Sequence, residues 1–582
     1  MVFQFLKFGR NKPCCSFELI LSCGSIVAAE VKEGIIFNGD RSKVDQFLQA
    51  VDEIQLWTES ATILDDQIEA NTMIQIAMAR LEDEFQIILI SLPSPISTNS
   101  HTDPRSSTCS GSTTDSTTGF DDFNYVEFST KFKQSIDDLR SIAVRMNSAG
   151  HIAKCVKVYQ NVRKFLLNTC LQRLGIQKSS IDELRRMDWE ALEEKVRQWI
   201  RAAKICVTIL YTSEKRLCEH IFGGLGNDSD EECFVEMVKD HAIQLFKFGE
   251  AISICLSAPS RRPEKLFKIL DLHKALLKFL PDLDVLFQLK SLECIRTLAA
   301  YIVPLLVEVA RGVLPELEYS VLHEQSSFQE QRGRISNLTT YVMAYVTRIS
   351  SYKETLTELI ISKPSKQEDI RNSSDRTIPD MKLYELEGRT PLVVHLIYII
   401  EILQYKLDGK SKCYKDASLA QLFMMNNVQY IVQKVQEDSK LGDMIGNNYL
   451  EKLTENVRLL MAGYLKSTWV SVTSCLREEG LYVSRSLFSG VSKSALKDRL
   501  KTFNATFEEV RQTQARWVVP NVQLRKKLRL SILDELIPPY NSFIKLFKSH
   551  IGSENHQQKY IRYSVEDLKT SVSNFFVGIV EV

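Results

Sequence analysis

Gln523-Leu-Arg-Lys-Lys-Leu-Arg-Leu-Ser-Ile532 is the stretch whose reading decides the fold. Leu524, Leu528, Ile532 and Leu536 recur every four residues, the inner stripe of a helix, while Arg525, Lys526, Lys527 and Arg529 ring its outer side. Pro520 and Asn521 open this helix, and Pro538-Pro539 are expected to close it. A helix that buries leucines and displays cations offers an anionic surface somewhere to dock. Around it, Arg485 to Lys569 carries roughly sixteen Lys and Arg against about eight Asp and Glu. The whole chain holds 73 of each sign, so the remainder is acidic by about eight charges and the molecule is electrically lopsided.

Working outward, 582 residues are enough for several domains or one long array. A 44% hydrophobic and 25% charged composition describes an ordinary folded protein. Only 23 Gly and 15 Pro over this length argue against a turn-rich β fold and for long helices. The 13 Cys show no C-x-x-C pairing, and Cys170, Cys206, Cys255 and Cys294 sit in apolar helical contexts, the pattern of reduced thiols in a cytosolic protein. The start, up to Ala29, faintly resembles a secretory signal, but Glu18 interrupts its apolar run. No transmembrane span is expected, so contact with a membrane would be from the cytosol and at its surface.

Residues 1–43 have no clear period. A coiled-coil-like helix pair follows over 44–92, striped by Val44, Phe47 and Val51 and then by Ile74, Met78, Leu81 and Phe85. Spacing alone leaves open whether these stripes close an internal hairpin or meet a partner's helices. Residues 93–122 are mostly Ser, Thr, Asp, Gly and Pro and are expected to be a disordered linker. Helical stripes resume over 123–260, and the clearest begins at the N-cap Asp188 with Trp189, Leu192, Val196, Trp199 and Ala203 on one face, a long helix expected to run on to Phe222. Further bundles are expected over 261–361 and 381–484, separated by a polar loop at 362–380, and 485–582 forms the basic C-terminal bundle. The expected fold is therefore all-α, with helices stacked in consecutive antiparallel hairpins and no strict repeat.

Catalytic constellations are missing from the pattern. The nine His never form H-E-x-x-H, and Gly223-Gly-Leu-Gly-Asn-Asp228 lacks the Lys-Ser/Thr of a phosphate-binding loop. Cys218 and His220 have no second ligand pair, and Ser494-Ala-Leu-Lys497 lacks the partner motifs of a Ser-x-x-Lys enzyme. No enzyme, metal or cofactor is expected. At the basic end, the apolar residues near the cations fall at core spacing rather than as stacking platforms, which disfavours nucleic acid. Near an anionic leaflet each Lys or Arg contributes about 1 kcal/mol, so a broad patch of six to eight gives reversible binding. The bland alternative is a merely solvated face.

Several stretches resemble the seventy-kilodalton subunit of the exocyst, the complex that tethers secretory vesicles to the plasma membrane. They are Ala77-Met-Ala-Arg-Leu-Glu-Asp-Glu-Phe85, Tyr159-Gln-Asn-Val-Arg163, Met187-Asp-Trp-Glu-Ala-Leu-Glu193, Trp199-Ile-Arg-Ala-Ala-Lys204 and Glu214-Lys-Arg-Leu217. Near the other end stand Lys497-Asp-Arg-Leu-Lys-Thr-Phe-Asn504, Gln512-Thr-Gln-Ala-Arg-Trp517 and Lys559-Tyr-Ile-Arg-Tyr563. Their order is collinear over residues 44–580, and their spread is most like the land-plant branch. The resemblance implies an elongated rod of antiparallel helical bundles, an irregular cullin-repeat-like solenoid. It implies an N-terminal helix pair for assembly with other exocyst subunits and a C-terminal bundle that binds phosphatidylinositol 4,5-bisphosphate. It also implies contacts with Rho-type GTPases and a peripheral place at the cytosolic face of the plasma membrane and vesicles. Its lipid contacts would fall on Lys559 and Arg562, with a second group around Lys493 and Lys497; Arg525 to Arg529 add charge on the residue-level reading alone. The competing expectation is an all-α adaptor whose basic face takes an acidic protein and no lipid.

Overall fold

A computed structural model describes residues 36–37, 39–60, 64–92, 130–177, 180–226, 229–258, 262–324, 331–361, 388–485, 488–551 and 554–578. Most of the irregular segment 1–43, the whole Ser/Thr-rich linker 93–122 and the whole polar loop 362–380 lie outside them. The described chain is helical, apart from one two-stranded hairpin and an isolated bridge between Val518 and Val577. It divides into two compact units, residues 1–258 with 267–309, and 259–266 with 310–582.

The first unit contains α1 (Arg41–Ser60), α2 (Leu64–Ser91), α3 (Thr130–Ser148), α4 (Ile152–Arg173), α5 (Ile181–Arg186), α6 (Trp189–Ile205), α7 (Thr212–Phe222) and α8 (Ser229–Leu256). Most of α9 (Lys265–Leu286) and the start of α10 (Glu293–Val313) also belong to it. Asp188 caps α6 as its sequence position predicts, its carboxylate accepting from Ala191 N–H at 2.8 Å. A π-helical segment, Cys206–Tyr211, carries α6 into α7, so the long helix expected from Asp188 runs on to Phe222 with one local unwinding. Helices α2, α4 and α7 meet where Phe222 packs against Phe85 and Tyr159, at ring-centroid distances of 6.3 and 5.4 Å. Next to that contact Arg163 and Glu214 form a buried ion pair, joined by the Tyr159 hydroxyl.

Helices α6 and α8 approach closely because Gly249 leaves room for Trp199. A Cβ at Gly249 would sit 2.6 Å from the indole, whose N–H donates to Leu245 O at 2.8 Å. Gly249→Ala is thus expected to cost about 1–3 kcal/mol by overpacking. That lowers the thermal midpoint of this unit by roughly 5 °C, and circular dichroism melting checks it. An unchanged midpoint would mean that the two helices can part without cost.

The second unit holds the end of α10, then α11 (Glu316–Leu322), α12 (Asn337–Ser350), α13 (Lys353–Ile361), α14 (Pro391–Ser411), α15 (Ala417–Glu437), α16 (Ser439–Ile445) and α17 (Asn447–Ser474). The hairpin β1 (Tyr482–Arg485) and β2 (Phe488–Val491) follows, then α18 (Lys493–Gln514), α19 (Val522–Phe547), α20 (Glu554–Tyr560) and α21 (Val565–Ser573). Asn426 and Asn427 lie buried inside α15 and act as joints. Asn427 Oδ1 accepts from Ser336 N–H and from the Thr339 hydroxyl, at 2.8 and 2.6 Å. Asn426 Nδ2 donates to Gly333 O and Val518 O at 2.6 and 2.8 Å. Two buried backbone segments thereby find partners that no helix ladder supplies.

Two sequence expectations need correction here. The stretch Lys290–Leu322 contains a window that is, by length and composition alone, apolar enough to cross a membrane, although no such segment was expected. Its residues Leu292, Ile295, Ala299, Ile302, Leu306, Val309 and Val313 are buried at helical spacing, so the segment packs one stripe inward and leaves its other face more open. Second, Pro538-Pro539 do not close the basic helix, because α19 continues through them to Phe547. The prolines cannot donate to the carbonyls one turn back, but the buried stripe Leu536, Tyr540, Phe543 and Phe547 continues past them and holds the helix on the core. The hairpin at 482–491 had no expectation at all.

Candidate phosphate-binding surface

The C-terminal end is assembled by a few specific contacts. Ser492 caps α18, its hydroxyl accepting from Ala495 N–H at 3.3 Å, and Ser492 N–H donates to Leu481 O at 2.8 Å across the hairpin base. Leu496, Leu500, Phe503 and Phe507 face inward. The stacked rings of Phe503 and Tyr540, 5.0 Å apart, fix the register of α18 against α19. Tyr482, at the hairpin base, meets Phe547 at 6.2 Å, so the start of α18 lies beside the end of α19.

The segment 557–564 is tied onto that end. Asn504 Nδ2 donates to Tyr560 O at 2.9 Å, Gln557 Nε2 to Lys548 O at 3.3 Å, and the Tyr540 hydroxyl to Tyr563 O. The Tyr563 hydroxyl donates to Glu508 Oε2 at 2.6 Å. These bonds carry Lys559 and Arg562 to α18, where Lys497 Nζ stands 5.2 Å and Lys501 Nζ 5.8 Å from the Tyr560 ring centroid. The Arg562 guanidinium lies 5.7 Å from the Tyr563 ring. Lys493 begins α18 two residues after Val491, which pairs with Tyr482.

Lys493, Lys559 and Arg562 are exposed, and Lys497 is half-buried against Tyr560. The sequence reading omitted Lys501, Lys545 and Lys548 from the site, yet all three are exposed at this end. The signal that would have found them is the stripe running through Pro538-Pro539: with the helix unbroken, Lys545 and Lys548 fall on its outer side. Lys501 is partly offset by Asp498, 3.5 Å away and equally exposed, a pair worth little in water.

The basic run Arg525 to Arg529, at the start of α19, does not join this cluster. Antiparallel packing leaves Arg525, Lys526 and Lys527 about 20 Å along α19 from Tyr540, toward its opposite end. Lys526 and Lys527 are exposed there. Arg529 is engaged structurally: its Nε and Nη2 donate to Phe575 O at 3.2 and 2.5 Å, and burial, then the neighbouring Arg525 charge, lower its pKa. Of the eight candidate cations, Lys493, Lys497, Lys559 and Arg562 gather, and the group Arg525 to Arg529 stands apart.

Glu508 braces the cluster from inside. Hydrogen bonds from Arg511 and then Tyr563 hold its carboxyl down to about 2. Tyr563 is pushed up to about 12, by burial and then by Glu508. A depressed carboxylate pKa contributes stability that is fully present above the ordinary value of 4.5 and is lost as pH falls toward 2. Glu508→Gln is therefore expected to flatten the acid limb of stability between those pH values, which denaturant titrations across that range check. A parallel acid limb in wild type and variant would contradict the brace.

The N-terminal candidates Val44, Phe47, Val51, Ile74, Met78, Leu81 and Phe85 are all at most 6% exposed, turned into the first unit. Their stripes are used where α1 packs on α2 and α2 on α4. As folded here, they present no surface to a second protein. Cys218 is buried while His220 is exposed, so the two diverge.

An almost wholly helical scaffold with a cationic C-terminal end is the class of protein this geometry defines. Residues 197–574 match the family of Exo70 C-terminal regions, from the Exo70 subunit of the exocyst complex, and residues 23–91 match the family of N-terminal regions of the exocyst complex component Exo70. The chain belongs to the Exo70 family. It is 32% identical over 446 residues to exocyst complex component EXO70A1 of Arabidopsis thaliana, covering 76% of this chain and 66% of that one. To EXO70B1 of the same plant it is 33% identical over 444 residues, covering 76% and 67%. The matches thus span about two thirds of these relatives. A crystal structure of the S. cerevisiae exocyst component Exo70p matches with a TM-score of 0.50 at 14% identity, over 96% of this chain and 99% of that one, a likeness of fold.

Proposed function

We propose that this chain is a non-catalytic exocyst subunit that helps to tether secretory vesicles to the plasma membrane. It works from the cytoplasm, peripheral to the cytosolic face of that membrane and of vesicles. Its C-terminal end binds phosphatidylinositol 4,5-bisphosphate. The observation that carries this reading is the gathering of Lys493, Lys497, Lys559 and Arg562, with Lys545 and Lys548, at one end of α18 and α19. Multivalent phosphate rewards several cations within reach of one headgroup, and flexible lysines adapt to it as point charges. Sister exocyst subunits and Rho-type GTPases are the proposed protein partners. The chain's finer division into bundles at 123–260, 261–361, 381–484 and 485–582 belongs to the same proposal.

Vesicle flotation of the purified chain tests the lipid part. Binding to phosphatidylcholine vesicles should depend on added bisphosphate lipid and fall in Lys559→Ala/Arg562→Ala; equal flotation in all four combinations would reject it. Co-purification of the other exocyst subunits tests the tethering part. A second reading, an adaptor for an acidic protein, is favoured by one observation: Lys526 and Lys527 are exposed about 28 Å along α19 from Lys545 at the lipid-facing end.

A further inference from the structure

Two large apolar side chains stand in the open among the cations of the C-terminal end. Leu546 is 50% exposed on α19 between exposed Lys545 and Lys548, and Tyr482 is 54% exposed at the hairpin base. Neither can turn inward by a small movement. Phe543 and Phe547, buried on either side of Leu546 along the helix, fix the rotation of α19. Tyr482 is held by Phe547 on one side and by its pairing with Val491 on the other. We propose that Leu546 and Tyr482 insert into the boundary between headgroups and acyl chains while the surrounding lysines hold the phosphates. The proposal rests on the lipid-binding reading above and adds a second, apolar component to it.

Charge complementarity selects the occupant. Lys545 and Lys548 flank Leu546 along the chain, and Lys493 follows the Val491 that pairs with Tyr482, so this end favours an anionic surface, while exposed Leu546 favours an apolar layer. A bilayer with anionic headgroups presents both within about 5–10 Å of depth. Tyrosine suits that depth, because its ring is apolar and its hydroxyl stays among the headgroups.

The test uses the full chain carrying Leu546→Trp, with Leu530→Trp as control. Leu530 is 52% exposed on the same helix, about 24 Å away. On phosphatidylcholine vesicles containing phosphatidylinositol 4,5-bisphosphate, the fluorescence that Leu546→Trp adds to the wild-type spectrum should shift to the blue and be quenched by brominated phosphatidylcholine. The control should show neither effect. Leu546→Asp should weaken vesicle binding about five- to tenfold at high salt, where the lysines are screened, and Leu530→Asp should leave it unchanged. Circular dichroism melting confirms that each variant folds. If Leu546→Trp binds these vesicles with an unshifted, unquenched spectrum, insertion is overturned and lipid binding stands. If wild type ignores the bisphosphate vesicles altogether, for instance because this end takes an acidic protein, both readings fall.

Discussion

Glu214→Ala is expected to lower the melting midpoint of the first unit by roughly 10 °C. The side chains of Arg163 and Glu214 are each 1% exposed. Arg163 donates from Nε to Glu214 Oε2 at 3.1 Å and from Nη2 to Oε1, and the Tyr159 hydroxyl adds a third bond at 3.1 Å. Burial opposes the guanidinium charge, but the Glu214 carboxylate outweighs it and raises the Arg163 pKa. Without Glu214 the arginine is left charged and buried without its carboxylate partner, which costs about 3–5 kcal/mol. Replacing both partners, Arg163→Met with Glu214→Leu, removes the stranded charge and should recover most of the loss. Scanning calorimetry of wild type, single and double variants checks this, and a single variant that melts with wild type would show that water reaches the pair.

Neutralising Lys493, Lys497, Lys559 and Arg562 together is expected to weaken binding to bisphosphate-containing vesicles by up to about a thousandfold. Each cation near an anionic surface contributes about 1 kcal/mol, and each 1.4 kcal/mol is a factor of ten. The loss should shrink as salt rises, because the Debye length at physiological ionic strength is about 8 Å. The fold should survive: these residues are on the surface, and the Lys497 contact with Tyr560 is worth no more than about 1 kcal/mol. Flotation over a salt series separates this from unfolding, which would abolish binding at every salt concentration.

Local features of the chain were legible because they are local. The Asp188 cap, the run from Trp189 to Phe222 and the inward stripes of α1, α2 and α19 follow from spacing within one helix. Three things were not. The register that brings Lys497 to Tyr560 depends on the Phe503–Tyr540 stack and the Asn504 bond, contacts between residues far apart in sequence. Pro538-Pro539 read as a stop because the local penalty is visible, while the buried stripe that overrides it depends on the rest of the unit. The stripes of Val44 to Phe85 looked equally suited to a partner or to the chain itself, since periodicity marks a face without naming what covers it. The motifs that carried the family resemblance include polar joints of the fold: Tyr159, Arg163 and Glu214 form one network, and Gln514 accepts from the buried Tyr464 hydroxyl at 2.6 Å. Such residues identify a scaffold more directly than they identify its ligand.

The central claim is that cations remote in sequence act together because the fold carries them to one end, while equally basic residues elsewhere do not. Flotation of Lys559→Ala/Arg562→Ala beside Lys526→Ala/Lys527→Ala, on identical bisphosphate-containing vesicles, tests it with the same number of charges removed. The account predicts that the first pair loses binding at least tenfold and the second floats nearly as wild type does. Equal losses, or the larger loss in the second pair, would contradict it.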